Sequence, residues 1–128
     1  MAQLFGKQDK KISFDLVPNQ YVFNMDTAVT LGLMMNELLT NAFKYLPAHQ
    51  HNKVLIEIKE WENGAYRLSF HDNGPGLASG FSFENVTTIG FSMLKSLAMQ
   101  LHGSITYEYQ QGSMFVIIFK ERHVKAKN

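Results

Sequence analysis

Thr27-Ala28-Val29-Thr30-Leu31-Gly32-Leu33-Met34-Met35-Asn36-Glu37-Leu38-Leu39-Thr40-Asn41-Ala42-Phe43-Lys44-Tyr45-Leu46 is the stretch that decides how this chain folds. It is too long for a strand, and its apolar residues recur at helical spacing. Asp26 suits an N-cap, with Thr27 following it. Pro47 sets the far limit, because the residue before a proline avoids helical angles. A helix from about Thr27 to Tyr45 or Leu46 is therefore predicted. At ~100° per residue, Ala28, Leu31, Met35, Leu39, Ala42 and Leu46 form the expected core stripe. Glu37, Asn41 and Lys44 gather on the opposite side, with Tyr45 at its margin. An amphipathic helix with a solvated face would show the same polar residues. Two features favour a ligand surface: Leu33 and Met34 make this side partly apolar, and asparagine is a mediocre helix former.

Outward from this helix the pattern is alternating. Residues 1–10 are polar and expected to be loosely ordered. Over Lys11–Val17, Ile12, Phe14 and Leu16 alternate with Ser13 and Asp15, as in a half-buried strand, and Pro18-Asn19 is a turn signal. Downstream, Lys53–Glu60 and Tyr66–His71 read as antiparallel strands joined at Asn63-Gly64. Leu77–Thr87 is a loop holding Phe81 and Phe83. A second helix follows from about Ile89 to Leu101, with Ile89, Met93, Leu94, Leu97, Ala98 and Leu101 at helical spacing and Gly103 suited to its C-terminal cap. Ser104–Tyr109 and Ser113–Phe119, joined by Gln110-Gln111-Gly112, close the fold. This order predicts a two-layer α/β sandwich: a mixed, mainly antiparallel sheet with helices on one face. The domain is expected over residues 11–121, between the N-terminal segment and a basic tail at 122–128.

The chain has 128 residues, of which 45% are hydrophobic and 18% charged, enough for one core. The absence of cysteine excludes disulfides and thiolate metal sites. Twelve basic and 11 acidic residues leave a net charge of +1, which argues against a nucleic-acid footprint or an anionic-membrane surface. No run reaches the ~18 apolar residues of a membrane span; a cytoplasmic location fits.

Asp72-Asn73-Gly74-Pro75-Gly76-Leu77 directly follows a predicted strand. Its glycines allow a sharp turn and close approach to a ligand, and Pro75 stiffens it. An ionised aspartate accepts hydrogen bonds only, so Asp72 suits an amine such as that of adenine. A tight turn with a structural aspartate is the alternative. Thr87 or Thr88 can cap the second helix, whose free N–H groups and dipole suit phosphate, with Gly90 permitting close approach. A plain capped helix has the same residues. His49, His51, His71, His102 and His123 lie outside any long helix, and none is arranged as a metal set.

Together these motifs resemble the GHKL superfamily, which includes DNA gyrase, MutL, a heat-shock chaperone and the histidine kinases. Asn36–Tyr45 resembles its N box, Asp72–Leu77 its G1 box, Thr88–Ser92 a reduced G2 box and Gly112–Phe115 its last glycine box. Leu31-Gly32-Leu33 through Lys44, with Gln100-Leu101-His102-Gly103, is most similar to short-lid histidine kinases related to the HWE subclass. The resemblance covers about residues 11–120 and implies the Bergerat ATP-binding fold. It implies that Asn41 coordinates Mg²⁺, that Glu37 matches a general base, that Lys44 neutralises phosphate and that Tyr45 flanks the nucleotide. It further implies that Asp72 reads the adenine amine and that Gly74 and Gly76 shape that pocket. Thr88, Gly90 and Phe91 would offer backbone donors to phosphate, and Ser113 would stand near the adenine. Thr88 departs from the usual glycine and Phe91 from a leucine.

What this implies is the ATP-binding catalytic domain of a sensor kinase, dependent on Mg²⁺. It would phosphorylate a histidine on separate phosphoacceptor and dimerisation helices and act upstream of a response regulator. Three other activities share the motifs: ATP hydrolysis with Glu37 as base, nucleotide binding without catalysis, and serine phosphorylation of the anti-sigma type.

Overall fold

The structure, a computed structural model, describes residues 2–4, 12–17, 22–48, 51–77, 81–85 and 88–121, the first two segments as backbone only. Strands β1 (Ala2–Leu4), β2 (Ile12–Val17), β3 (Asn52–Glu60), β4 (Ala65–Asp72), β5 (Ser104–Tyr109) and β6 (Ser113–Lys120) form one sheet in the order β1-β2-β3-β4-β6-β5. Only the β2–β3 pairing is parallel. Helix α1 (Met25–Tyr45) connects β2 to β3, and α2 (Ile89–Gln100) precedes β5. The two-layer sandwich expected from the sequence is thus the architecture found. Ala2–Leu4, in the segment expected to be loose, is paired with β2. The expected turn at Pro18-Asn19, His49, the loop residues 78–80 and 86–87, and the tail at 122–128 lie outside the described residues.

Alternation fixes the inner face of the sheet. Register places Ile56, Phe70, Phe115 and Tyr107 in one cross-strand row, and Ile58, Leu68, Ile117 and Ile105 in the next. Phe70, Phe119 and Ile117 are fully buried, each burial contributing about 1.5–3 kcal/mol. Asn63 and Gly64 turn the β3–β4 hairpin in left-handed conformations, φ 55° and 78°, as an Asn-Gly pair permits. Phe23 stands edge-on to Tyr66 and Phe119, and Glu121 Oε2 accepts a hydrogen bond from the Asn24 N–H at 2.7 Å. These contacts fasten the start of α1 to the sheet.

Two expectations for α1 are corrected. The N-cap of α1 is Asn24 rather than Asp26: Asn24 Oδ1 accepts from the Thr27 N–H at 3.0 Å. Asp26 lies in the first turn, where its charge faces the positive end of the helix dipole. The buried residues of α1 are Thr27, Leu31, Met34, Leu38, Asn41 and Ala42, a stripe rotated by roughly 60° from the expected one. Ala28 is exposed and Met35 and Leu39 are half-buried, whereas Met34, placed on the polar side by the sequence, is 0% exposed. The rotation arises because buried Asn41 belongs to the inner stripe, which a search for apolar residues alone misses.

Helix α2 is capped by Thr88, whose Oγ1 accepts from the Phe91 N–H at 3.3 Å. Phe91, Leu94, Leu97 and Ala98 are its buried residues, while Ile89 and Met93 are exposed. Phe91 takes the inner position because it meets the rings of Phe81, Phe83 and Phe115, with centroids 4.9, 5.8 and 6.3 Å away. At the helix end, the left-handed residue is His102 (φ 56°), with Gly103 N–H donating to the Ala98 carbonyl and His102 N–H to that of Met99. This is a Schellman cap one residue earlier than expected. Gly103 is needed for space, since a side chain there would strike the Ile118 carbonyl.

Candidate functional site

Strand β4 ends at Asp72, and its inner-face register is with Val54. Pro75 has no N–H and Gly76 has φ 87°, so the loop after Asp72 cannot continue the ladder. Asp72 is 8% exposed, and its Oδ1 accepts from the Gly74 N–H at 2.8 Å and the Ser113 N–H at 3.0 Å. Two backbone donors therefore hold one carboxylate oxygen, while Oδ2 makes no hydrogen bond to the described residues. Its acceptor capacity is directed at the space beside it. Gly112, with φ 136°, makes this possible: a side chain there would run into the Asp72 carbonyl oxygen. Only glycine lets β6 begin close enough for Ser113 to reach Asp72.

The loop is anchored elsewhere too. Asn73 Oδ1 accepts from the Lys53 N–H at 2.9 Å, and its Nδ2 donates to the His51 carbonyl at 3.0 Å. A side chain on Gly74 would meet Leu46, so the loop packs against the C-terminal end of α1. The Leu77 N–H donates to the Tyr107 hydroxyl at 2.8 Å.

A cleft opens between α1, this loop, α2 and the start of β6. It is lined by Leu38, Asn41, Ala42, Tyr45, Leu46, Phe70, Asp72, Pro75, Gly76, Leu77, Phe91, Ser113 and Phe115. Asn41 and Asp72 thus share one cavity. Its volume is about 20 Å³, enough for one water-sized group, so entry of a ring-sized ligand requires its walls to part. Asn41 is 8% exposed, yet its amide makes no hydrogen bond to the described residues. The amide opens onto the cleft it lines, where it is able to donate and accept.

The remaining expected residues lie around this cleft. Glu37 is half-buried, and its carboxylate rests on the Cα of Gly90 in the first turn of α2. Lys44 is exposed in the last turn of α1, and Thr88 is exposed at the α2 cap. Neither they nor Glu37 and Gly90 line the cleft itself. Gly74 is buried beneath it. Tyr107, Gly112 and Asn73 were not among the expected site residues. Asn73 and Gly112 carried a signal, as members of the G1 box and of the last glycine box that the resemblance marks, though neither was given a role; Tyr107 carried none. Among the described residues, no cluster of three or more His, Asp or Glu side chains is arranged around a metal position. No described helix is long and apolar enough to cross a membrane.

Residues 26–123 match the family described as histidine kinase-, DNA gyrase B-, and HSP90-like ATPase. The chain belongs to this family. Its match to this ATPase family spans both helices and the four strands β3 to β6. Among named relatives, the sensor histidine kinase PdtaS of Mycobacterium tuberculosis is 31% identical over 102 residues, covering 76% of this chain and 20% of the relative. The chain therefore spans about a fifth of the length of that kinase. The blue-light activated histidine kinase of Erythrobacter litoralis EL346 has the same fold, with a TM-score of 0.75 at 19% identity over 86% of this chain and 35% of that one. Full-length ShkA, solved in complex with AMPPNP, gives a TM-score of 0.70 at 21% identity over 90% of this chain and 26% of that one. The ATPase domain identified by family and fold is the part of the chain that carries the cleft.

Proposed function

We propose that this domain binds ATP with Mg²⁺ and transfers its γ-phosphate to a histidine on a separate pair of phosphoacceptor helices, as the catalytic part of a two-component sensor kinase. The observation that carries this reading is the shared cleft of Asn41 and Asp72, one an amide without a hydrogen-bond partner among the described residues and the other a carboxylate with one oxygen still to be used. Membership of the ATPase family and the likeness to PdtaS give the reading its reaction class.

In this reading Asp72 Oδ2 accepts from the adenine amine, and Gly74, Gly76 and Ser113 shape the base end. Tyr45 and Phe91 flank the nucleotide. Asn41 is the protein ligand for Mg²⁺, an ion that keeps most of its own waters and needs few protein groups. Bound there, Mg²⁺ supplies charge neutralisation across the phosphates. Lys44, on the same flank of α1, adds positive charge. The first turn of α2, with Thr88 and Gly90, offers backbone N–H groups and a dipole to the phosphate end. Glu37 lies next to that turn. Phosphoryl transfer is mostly positioning and electrostatic stabilisation, and these groups supply both. The hydrolytic alternative with Glu37 as base shares the site, but the relatives do not favour it. A cytoplasmic location and a response regulator as downstream partner follow from the kinase reading.

The test is transfer of label from γ-labelled ATP. The chain alone should remain unlabelled, and helices bearing the phosphoacceptor histidine should become labelled when it is added. Label on the chain itself, or none on the helices in the presence of bound ATP, would refute the transfer.

A further inference from the structure

We infer that Tyr107 is a positioning residue that sets the polarity of the Ser113 hydroxyl and thereby selects an amino-purine over an oxo-purine. This deepens the nucleotide reading above and rests on it. Tyr107 lies on β5 directly across from Phe115, and its ring packs on Phe115 and Phe81 with centroids 5.1 and 5.2 Å away. Packing on two sides fixes where its hydroxyl points. That oxygen accepts from the Leu77 N–H at 2.8 Å and lies 3.3 Å from Ser113 Oγ.

Proton counting fixes the direction of the first of these bonds. A backbone N–H only donates, so at Leu77 the phenol oxygen is an acceptor. Between Tyr107 and Ser113 either hydroxyl can donate; with the Leu77 N–H already occupying the acceptor side of the phenol, we assign the phenolic proton to Ser113 Oγ. The serine then keeps its own proton and, at 3% exposure, has the cleft it lines in which to spend it. A chain runs from Leu77 N–H to Tyr107 O–H to Ser113 O–H, each bond strengthening the next.

The cleft therefore presents two complementary groups side by side, an acceptor at Asp72 Oδ2 and a donor at Ser113. Adenine offers a donor amine next to an acceptor ring nitrogen, N1, and matches. Guanine offers an acceptor O6 next to a donor N1–H, so both contacts would be reversed. Asp72 supplies half of this selection, and Tyr107 controls the other half without touching the base. Gly76 leaves the room this needs, since a side chain there would meet the Tyr109 ring and come within 3.2 Å of the Tyr107 hydroxyl.

Calorimetric titration of the whole chain with ATP, its 1-deaza analogue and GTP tests this, on the native protein and on Tyr107→Phe, Ser113→Ala and the double variant. The native protein should prefer ATP to the 1-deaza analogue by on the order of tenfold, the worth of one good hydrogen bond. Tyr107→Phe and Ser113→Ala should each lose most of that preference, and the double variant should lose no more than either. A merely structural tyrosine would weaken both nucleotides equally and leave the ratio unchanged; that result overturns the inference. So does full preference in Ser113→Ala, or losses that add in the double variant. Failure of the native chain to bind ATP at all would instead remove the nucleotide reading, and this inference with it.

Discussion

The carboxylate of Glu37 rests on the Cα of Gly90, at the spot where any side chain on residue 90 would stand. Gly90 therefore does more than leave space for a ligand: it lets α1 and α2 approach at the N-terminal turn of α2. Replacing it with alanine pushes aside only the flexible end of Glu37. Alanine also removes the conformational cost of glycine in a helix, about 0.5–1 kcal/mol. Gly90→Ala should therefore keep or slightly raise the melting temperature while weakening Mg-ATP binding by on the order of tenfold. Thermal unfolding and calorimetry on one preparation check the two halves. A fall in stability matching the loss of binding would assign Gly90 a purely structural role.

Asp72 combines a structural oxygen with one that faces the cleft, and Asp72→Asn separates them. The amide oxygen can still accept from Gly74 and Ser113, so the fold should persist. The amide nitrogen then faces the cleft as a donor, against the donor amine of the base. Affinity for ATP should fall by on the order of 10- to 100-fold, the range for a hydrogen bond to a charged group. Affinity for inorganic triphosphate should not change. Equal ATP affinity in the variant would show that Asp72 does not read the base.

Asn41 makes no hydrogen bond to the described residues and stands inside α1, where alanine is the better helix former, so its removal should affect folding and function differently. Asn41→Ala should leave stability unchanged or raise it by up to about 1 kcal/mol. The same change should abolish the gain in ATP affinity that Mg²⁺ confers. Denaturant titration and calorimetry with and without Mg²⁺ measure both. A Mg²⁺ dependence that survives would place the metal elsewhere.

Gly112 should behave unlike Gly90. Its φ of 136° and its contact with the Asp72 carbonyl involve backbone on both sides, and neither can swing away. Gly112→Ala should cost on the order of 1–3 kcal/mol and lose ATP binding at the same time. Native-like binding in that variant would mean that the Ser113–Asp72 bond is dispensable.

Much of the fold was legible because its devices are local. Asn63-Gly64 turns a hairpin by its own conformational preference, and Leu68 and Phe70 alternate against Arg67 as a strand requires. The Asn41–Asp72 cleft was legible only through motif resemblance joined to a plausible helix face. The phase of α1 was misread because the helix buries a polar residue, Asn41, where an apolar one is expected. Asn24 and Asp26 are both competent caps, and the choice between them rests on Phe23 and Glu121 docking the preceding residues on the sheet. The inward turn of Phe91 depends on rings from the loop and from β6. Tyr107 was invisible for the same reason: its partners, Leu77 and Phe115, come from other elements of the sheet and loop.

Strand β6, the nearest to the C-terminus of those described, is not an edge: it lies between β4 and β5. Without it β4 and β5 have no strand between them, and the Asp72 carboxylate lacks the second N–H that holds it. A chain stopped before Ser113 has neither closed that gap nor supplied the second N–H on which the Asp72 carboxylate depends.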